Sequence, residues 1–296
     1  MHFTLAHLSD VHLGPLPSGS ATNDFALKRV IGAISWRAWR QKLHIPEIAA
    51  ALVEDIKSAK PDHVAFTGDL INIAAHSEFT RGAEWLKHFG AADWISYTPG
   101  NHDAYVKVSW ENGLKHWADY MDSDTRQPER FPFVRLRRNV ALIGVNGATP
   151  QDLIQAGGTV GQAQLERLKI KLQDLAQRGF YRVVMIHHPP APGLTHPLRS
   201  LSDAAELKKV IAAAGVELVL HGHNHTRSLA MLNTTPAIGV PSASMKNDGF
   251  HQPAAWNSYR IERKNGQWYT RVSIRQWNYN KTTFEPHDEF ALPTKS

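Results

Sequence analysis

The sequence contains no cysteine. Disulfides, cysteine-type zinc sites and thiol catalysis are therefore excluded, while the redox environment stays open, because a chain without disulfides tolerates either one. No stretch approaches the roughly 18 consecutive apolar residues that a membrane span requires. The first residues, Met1-His2-Phe3-Thr4-Leu5-Ala6-His7, lack a basic segment followed by an apolar one. No signal peptide is expected from them, and the cytoplasm is the expected location. Internal repeats, low-complexity tracts and interdomain linkers are also missing. The expectation is one domain over residues 1–296, with a helical insertion at about 23–45 and a β-rich tail at about 246–285.

What is present is ordinary in bulk and unusual in detail. Hydrophobic residues make up 42% and charged residues 20%, which places the chain among globular proteins that bury a core. The net charge of +6 suits an anionic substrate or surface. The chain also holds 17 histidines, a count that matters because many of them cluster.

Short β-branched runs bounded by Gly, Pro and Asn predict strands. Residues 3–8 run into Ser9-Asp10-Val11-His12, and 63–67 end at Gly68-Asp69. Residues 94–98 end at Pro99-Gly100-Asn101-His102-Asp103, and 140–145 at Asn146-Gly147. Residues 182–186 reach His187-His188-Pro189-Pro190, and 216–220 reach His221-Gly222-His223-Asn224-His225. Helical patterns lie between them. Pro46 suits a first helical position ahead of Ile48, Leu52 and Ile56, and Leu165, Leu168, Leu172 and Leu175 form a second stripe. Asp203 with Glu206 three residues later has the form of a capping box, and Gly215 suits the stop. Near the end, Asn265-Gly266 signals a hairpin turn. Strands alternating with helices, then a β-rich tail, indicate an α/β fold.

Apart from the run that ends at Asn146-Gly147, five of these runs end in a cluster of Asp, Asn or His within two or three residues. Ligands in open α/β sheets bind outside the carboxyl ends of strands, so the five clusters should converge. Each alone has a plain reading: Gly68-Asp69 as a turn, His187-His188 as buried structural histidines, residues 100–103 as a polar loop. Jointly, and in this order, they describe a metal site. Carboxylate, amide oxygen and imidazole together suit Mn, Fe, Co or Zn.

The order Asp-x-His, Gly-Asp, Gly-Asn-His-Asp, a later His, then Gly-His-x-His resembles the calcineurin-like metallophosphoesterase superfamily from about residue 4 to 245. That resemblance implies an αββα sandwich of two packed mixed β-sheets flanked by helices. It also implies two divalent metal ions, the first held by Asp10, His12 and His225, the second by Asn101, His187 and His223, with Asp69 bridging both. Two such ions clamp a phosphoryl group and make a bridging hydroxide that attacks phosphorus in line. By the same resemblance, His102 protonates the leaving group or binds a phosphoryl oxygen. Asp103 orients His102 by accepting its other N–H, or else serves as a loop-capping acid. His188 and His221 fall outside the ligand pattern.

Departures narrow the branch. Protein Ser/Thr phosphatases of the superfamily carry an arginine in Gly-Asp-x-x-Asp-Arg-Gly, and purple acid phosphatases a Tyr ligand three residues after that Asp. Here the text reads Gly68-Asp69-Leu70-Ile71-Asn72-Ile73, with neither. The chain resembles the bacterial phosphodiesterase branch, and hydrolysis of a small anionic phosphodiester is the favoured reading. The alternatives are a phosphomonoesterase, a nucleotide-lipid pyrophosphatase, a nuclease or, least favoured, a binding module without activity. A nuclease should show a basic, aromatic groove, for which Arg135-Leu136-Arg137-Arg138 is the best candidate. A run of charge is more simply a solvated face, and nucleic acid is not an expected partner.

The insertion reads as a helix over residues 25–43. Leu27, Ile31, Ile34 and Ala38 share one face, expected to pack on the core, with Lys28, Arg29, Arg37, Arg40 and Lys42 off it and Trp36 opposite. Such a helix could be a plain surface element, a lid, or a membrane-surface contact in which Trp36 and Trp39 meet a lipid-like substrate. Trp256, Trp268 and Trp277 in the tail are expected to pack against a sheet.

Overall fold

The computed structural model describes residues 2–16, 27–153 and 155–294. Its elements begin with β1 (His2–Leu8), α1 (Leu27–Ala38), α2 (Pro46–Ala59), β2 (His63–Phe66), α3 (His76–Phe89) and β3 (Ile95–Tyr97). There follow β4 (Phe133–Arg137), β5 (Val140–Gly144), α4 (Gln162–Gln177), β6 (Tyr181–Met185), α5 (Ala204–Ala214) and β7 (Leu218–His221). The last are β8 (Ser228–Leu232), β9 (Thr235–Gly239), β10 (Ala255–Lys264), β11 (Gln267–Asn278) and β12 (Thr283–Ala291).

The strands form two six-stranded sheets, in the orders β12-β11-β10-β1-β2-β3 and β4-β5-β6-β7-β9-β8. Both are mixed, with parallel pairing at β1–β2–β3 and β5–β6–β7–β9 and antiparallel pairing elsewhere. The alternation of side chains along each strand explains why they stack. Phe3 and Leu5 of β1, Val140 and Leu142 of β5, Val183 and Met185 of β6, and Leu218 and Leu220 of β7 share one buried cluster that joins the two sheets. Their neighbours point the other way. Leu8, Val64 and Phe66 pack with Ile48, Leu52 and Ile56 of α2 and Leu86 and Phe89 of α3. Ala141, Ile143, Val184 and Val219 pack with the α4 leucines and with Leu207 and Ile211 of α5. Three apolar layers between four layers of structure make an αββα sandwich.

The tail completes the first sheet. β10 and β11 pair down to Lys264 opposite Gln267, and Asn265 and Gly266 both take positive φ, as a two-residue hairpin turn requires. Trp256 on β10 is 1% exposed and donates its indole N–H to Asp55 of α2 at 2.7 Å, while Arg275 of β11 grips the same carboxylate. Trp256→Ala is expected to cost about 3–5 kcal/mol, against about 1 kcal/mol for Trp256→Phe, which keeps most of the volume and loses one hydrogen bond. Urea unfolding of the two variants measures the difference, and equal losses would mean that the hydrogen bond rather than the volume matters.

Three expectations from the sequence are corrected. Asp203 does not cap its own helix. Its carboxylate accepts instead from the backbone N–H groups of Val160 and Gly161 at the entrance to α4, which the fold brings within reach. Arg135 is no solvated base. Its guanidinium is buried and donates to the carbonyls of Asp122, Ala92, Ile95 and Asp119, tying β4 to the loops beside it, while Arg137 pairs with Asp124.

The insertion helix is the third. Asn23 to Ala26 of the expected segment lie outside the described residues. From Leu27 the helix runs only to Ala38, and a short 3₁₀ turn follows at Arg40–Lys42. Its faces are reversed. Leu27, Ile31 and Ile34 are 62%, 46% and 61% exposed, whereas Arg29, Gly32, Ala33 and Trp36 are buried. The helix does not lie on a sheet, so the apolar stripe does not choose its orientation. It lies on the loop after β2, where Arg29 donates to the carbonyls of Ile73 and Ala74, and Trp36 packs with Leu16, Ile73 and Ala75. Gly32 permits that approach, since a Cβ there would meet Tyr105 at 2.8 Å and Ile73 at 2.9 Å.

Candidate metal centre

The loops after β1, β2, β3, β6 and β7 meet at one edge of the sandwich, and their polar side chains fall into two groups of facing donor atoms. In the first, His12 Nε2 lies 3.2 Å from His225 Nε2 and 3.8 Å from both Asp10 Oδ1 and Asp69 Oδ2. His225 Nε2 lies 3.1 Å from Asp10 Oδ1. In the second, His187 Nε2 lies 3.3 Å from Asp69 Oδ2, 3.1 Å from Asn101 Oδ1 and 3.2 Å from His223 Nδ1. Two donors each about 2.0–2.2 Å from a common ion sit about 3–3.5 Å apart, so most of these spacings suit metal coordination. Asp69 Oδ2 belongs to both groups. The seven residues named from the sequence are thus brought together, with the shared carboxylate between the two sets.

The backbone is bent to achieve this. Among the described residues, eleven non-glycine positions have positive φ, and five of them are Asp10, His12, Asp69, His223 and His225. Residues other than glycine rarely adopt that region, Asn, Asp and His more readily than the rest, and strain of this kind collects at functional sites. Glycines supply the close approaches that the strained residues need. A Cβ on Gly100 would meet Asp69 Oδ1 at 2.1 Å, and one on Gly222 would meet Ser9 Oγ at 1.8 Å and Asp10 Oδ2 at 2.4 Å.

Backbone groups orient the donors. His187 Nδ1–H donates to the Thr67 carbonyl at 2.7 Å, so that Nε2 is the nitrogen that faces the cage. The N–H of His223 donates to Asp10 Oδ2 at 3.0 Å, and that of His102 to Asp69 Oδ1 at 2.7 Å. Burial alone would raise the Asp69 carboxyl, yet the facing His187 and His102 hold it far below the usual range. Burial would likewise lower His187, but the Asp69 and Asp10 carboxylates push it up to about 9. His188 and His221 are buried beside the cage, their ring nitrogens near the carbonyls of Ala156 and Gly222 at 3.2 Å each.

His102 and Asp103 part company here. Asp103 does not accept from His102. Its carboxylate takes the backbone N–H groups of Asp69, Leu70, Ile71 and Gly100 and the Tyr97 hydroxyl, binding the strained Asp69 loop to the Asn101 loop. The His102 acceptor is the Asn72 carbonyl, 2.6 Å from Nδ1. With four N–H groups converging on it, three of them from the loop after β2, the Asp103 carboxylate is already saturated. The Asn72 side chain, at the position where the purple acid phosphatases have Tyr, donates from Nδ2 to the Leu13 carbonyl.

Two site residues escaped the sequence reading. Arg40 reaches in from the insertion, with Nη2 3.2 Å from His12 Nδ1 and Nη1 3.3 Å from His102 Nδ1. His44 is buried, its ring centroid 4.4 Å from that of His12 and its Nδ1 2.9 Å from Ser244 Oγ. They stand four residues apart in the insertion, and no local pattern in the sequence marks either of them for the site. A cavity of about 380 Å³ lies over the donors, lined by Arg40, His44, Asp69, Asn101, His102, Arg199, His223, His225 and His251 among others. A second cavity, of about 620 Å³, shares Asn101, His102, Ala156 and Arg199 with it and extends to Lys28, Tyr105, Leu153 and Leu198.

Comparison with known proteins agrees with this geometry. The calcineurin-like phosphoesterase family model matches residues 3–227. A protein of Synechococcus sp. named "Probable cyclic nucleotide phosphodiesterase" is 26% identical over 227 residues, covering 76% of this chain and 81% of that protein. A dimetal phosphatase from Danio rerio superposes with a TM-score of 0.63 at 12% identity over 98% of both chains. A purple acid phosphatase from yellow lupin seeds gives 0.60 at 11% identity, over 98% of this chain and 53% of the other. At such identities the two structures establish the fold alone. The family match rests on its own extent, and by it this chain belongs to the calcineurin-like phosphoesterases, metal-dependent hydrolases of phosphoric esters.

Proposed function

We propose that this enzyme is a phosphodiesterase and that residues 1–296 act as one domain. Its first metal is held by Asp10, His12 and His225, its second by Asn101, His187 and His223, and Asp69 serves both. Two divalent ions bound there would neutralise phosphoryl charge and activate water as the nucleophile. The observation that carries diester over monoester is a pair of neighbouring cavities that share Asn101, His102, Ala156 and Arg199, which offers room beside the donor groups for two organic substituents. The name of the Synechococcus relative supports the same choice.

With Mn²⁺, bis-p-nitrophenyl phosphate should be hydrolysed with kcat/KM at least about tenfold above p-nitrophenyl phosphate. The reverse order would make the enzyme a monoesterase. Adding 2′,3′-cyclic AMP and single-stranded DNA to the same panel separates the nucleotide and nuclease readings.

The ligand assignment carries a pH prediction of its own. In the apo-protein the His187 pKa of about 9 leaves the ring protonated at neutral pH, and a ligand must offer a lone pair. Metal loading should therefore expel a proton. Apparent affinity should rise about tenfold per pH unit up to about pH 9 and then level off. Calorimetry in buffers of different ionisation enthalpy measures the proton directly, and no release at pH 7 would remove His187 from the ligand set.

A membrane-surface role for the insertion has one specific support. Leu27, Ile31, Ile34 and Trp39 are exposed, Trp39 by 73%, and Arg37 is exposed beside them. The aromatic that would meet lipid is thus Trp39, because Trp36 is buried. Co-sedimentation with anionic vesicles, lost in Trp39→Ala, is the expected result; no binding by the parent enzyme would leave a plain surface helix.

A further inference from the structure

Arg40 stands among hydrogen-bond acceptors that the metal centre withdraws from it. Its Nη2 lies 3.2 Å from His12 Nδ1, but His12 turns Nε2 toward Asp10, Asp69 and His225. An imidazole that gives Nε2 to a metal carries its proton on Nδ1, and that nitrogen then cannot accept. Its Nη1 lies 3.3 Å from His102 Nδ1, which is 2.6 Å from the Asn72 carbonyl and so spends its own proton there. No other hydrogen-bond partner meets the Arg40 side chain among the described residues. A guanidinium packed among histidines therefore has N–H groups free for an anion, and it presents them, half-buried, to the cavity over the donor groups.

The surroundings hold it in that pose. Arg40 lies over the face of Trp36, 5.6 Å from the ring, and the buried Trp36 in turn stacks on His44 at 5.8 Å. The side chain lines the cavity over the donor groups together with Asp69, Asn101 and His102. In protein phosphatases of this superfamily the phosphate-gripping arginine follows the Gly-Asp motif, where this chain has Leu70, Ile71 and Asn72.

We infer that Arg40, carried in from the insertion, binds the non-bridging oxygens of the substrate's phosphoryl group over the metal pair. The planar fork of a guanidinium matches two such oxygens, and Lys reproduces the charge without the fork. The inference rests on the ligand assignment proposed above, and His12 as a ligand is the part it needs.

The test uses Mn²⁺-loaded enzyme titrated with inorganic phosphate by calorimetry, alongside metal content by mass spectrometry. Arg40→Ala should keep two ions per chain and bind phosphate about 10–100-fold more weakly, with a comparable fall in kcat/KM. Arg40→Lys should recover part of the phosphate affinity. Two retained ions with unchanged phosphate affinity would overturn the inference, and so would loss of metal in both variants, which would make Arg40 a support of the cage. Failure of the ligand assignment would show separately, as parent enzyme carrying fewer than two ions or as full metal content in His12→Ala.

Discussion

Asp69→Asn should leave the fold intact, strip the enzyme of at least one metal ion and cut turnover by at least about 10³-fold. One oxygen, Asp69 Oδ2, faces His12 at 3.8 Å and His187 at 3.3 Å, so a single atom serves both donor groups. Its companion Oδ1 is already engaged by the N–H of His102 at 2.7 Å. An amide brings one oxygen and no charge to this position, and it cannot offset the repulsion between two nearby cations. The loop itself should survive, because its backbone is held by Asp103 through the N–H groups of Asp69, Leu70 and Ile71. Metal analysis after dialysis, steady-state rates and thermal unfolding test the three claims together. A variant with two ions and full turnover would falsify the bridging role. The same substitution removes the charge that, despite burial, raises His187, so proton release on metal loading should shrink as well.

The second large effect belongs to His102. Its replacement by Ala should retain both metals and slow hydrolysis by about 10²–10⁴-fold for poor leaving groups. For p-nitrophenolate, which leaves with little help, the loss should be much smaller. The structure makes this comparison informative. Burial first, and then the nearby Arg40, hold His102 down to about 3, and its Nδ1 proton is committed to the Asn72 carbonyl. The resting imidazole is therefore neutral, with Nε2 as its free nitrogen, and it acts as an acid only if an anionic substrate raises its pKa again. Losses of equal size for good and poor leaving groups would leave His102 with phosphoryl binding alone.

Much of this enzyme could be read along the chain. Strands with both faces buried appear as continuous apolar runs, and parallel neighbours put their carboxyl ends on one edge. Five runs ending in Asp, Asn or His therefore pointed to one candidate site without coordinates, and the glycines beside them marked the turns that let the backbone crowd in. The helices of α2 and α4 were legible for the same local reason, since their buried stripes face a sheet, and so was the hairpin at Asn265-Gly266.

What escaped the sequence was partner choice over long distances. Asp103 has a histidine next to it in the chain, yet four converging backbone N–H groups claim it, and no local pattern announces them. Arg29 and Trp36 look like outward residues of an amphipathic helix, but α1 rests on a loop with carbonyls to satisfy, and the polar and aromatic face goes inward. Arg40 is one basic residue among several in that segment, and only the placement of the segment over the loop after β2 carries it to His12 and His102. The sequence by itself determined the donor types, their order and the sandwich that gathers them, because those follow from residue chemistry and local periodicity. The tertiary structure alone decided which face of α1 is buried, which carbonyl holds His102 and which cation faces the donor groups, because each depends on groups far apart in the chain competing for one partner.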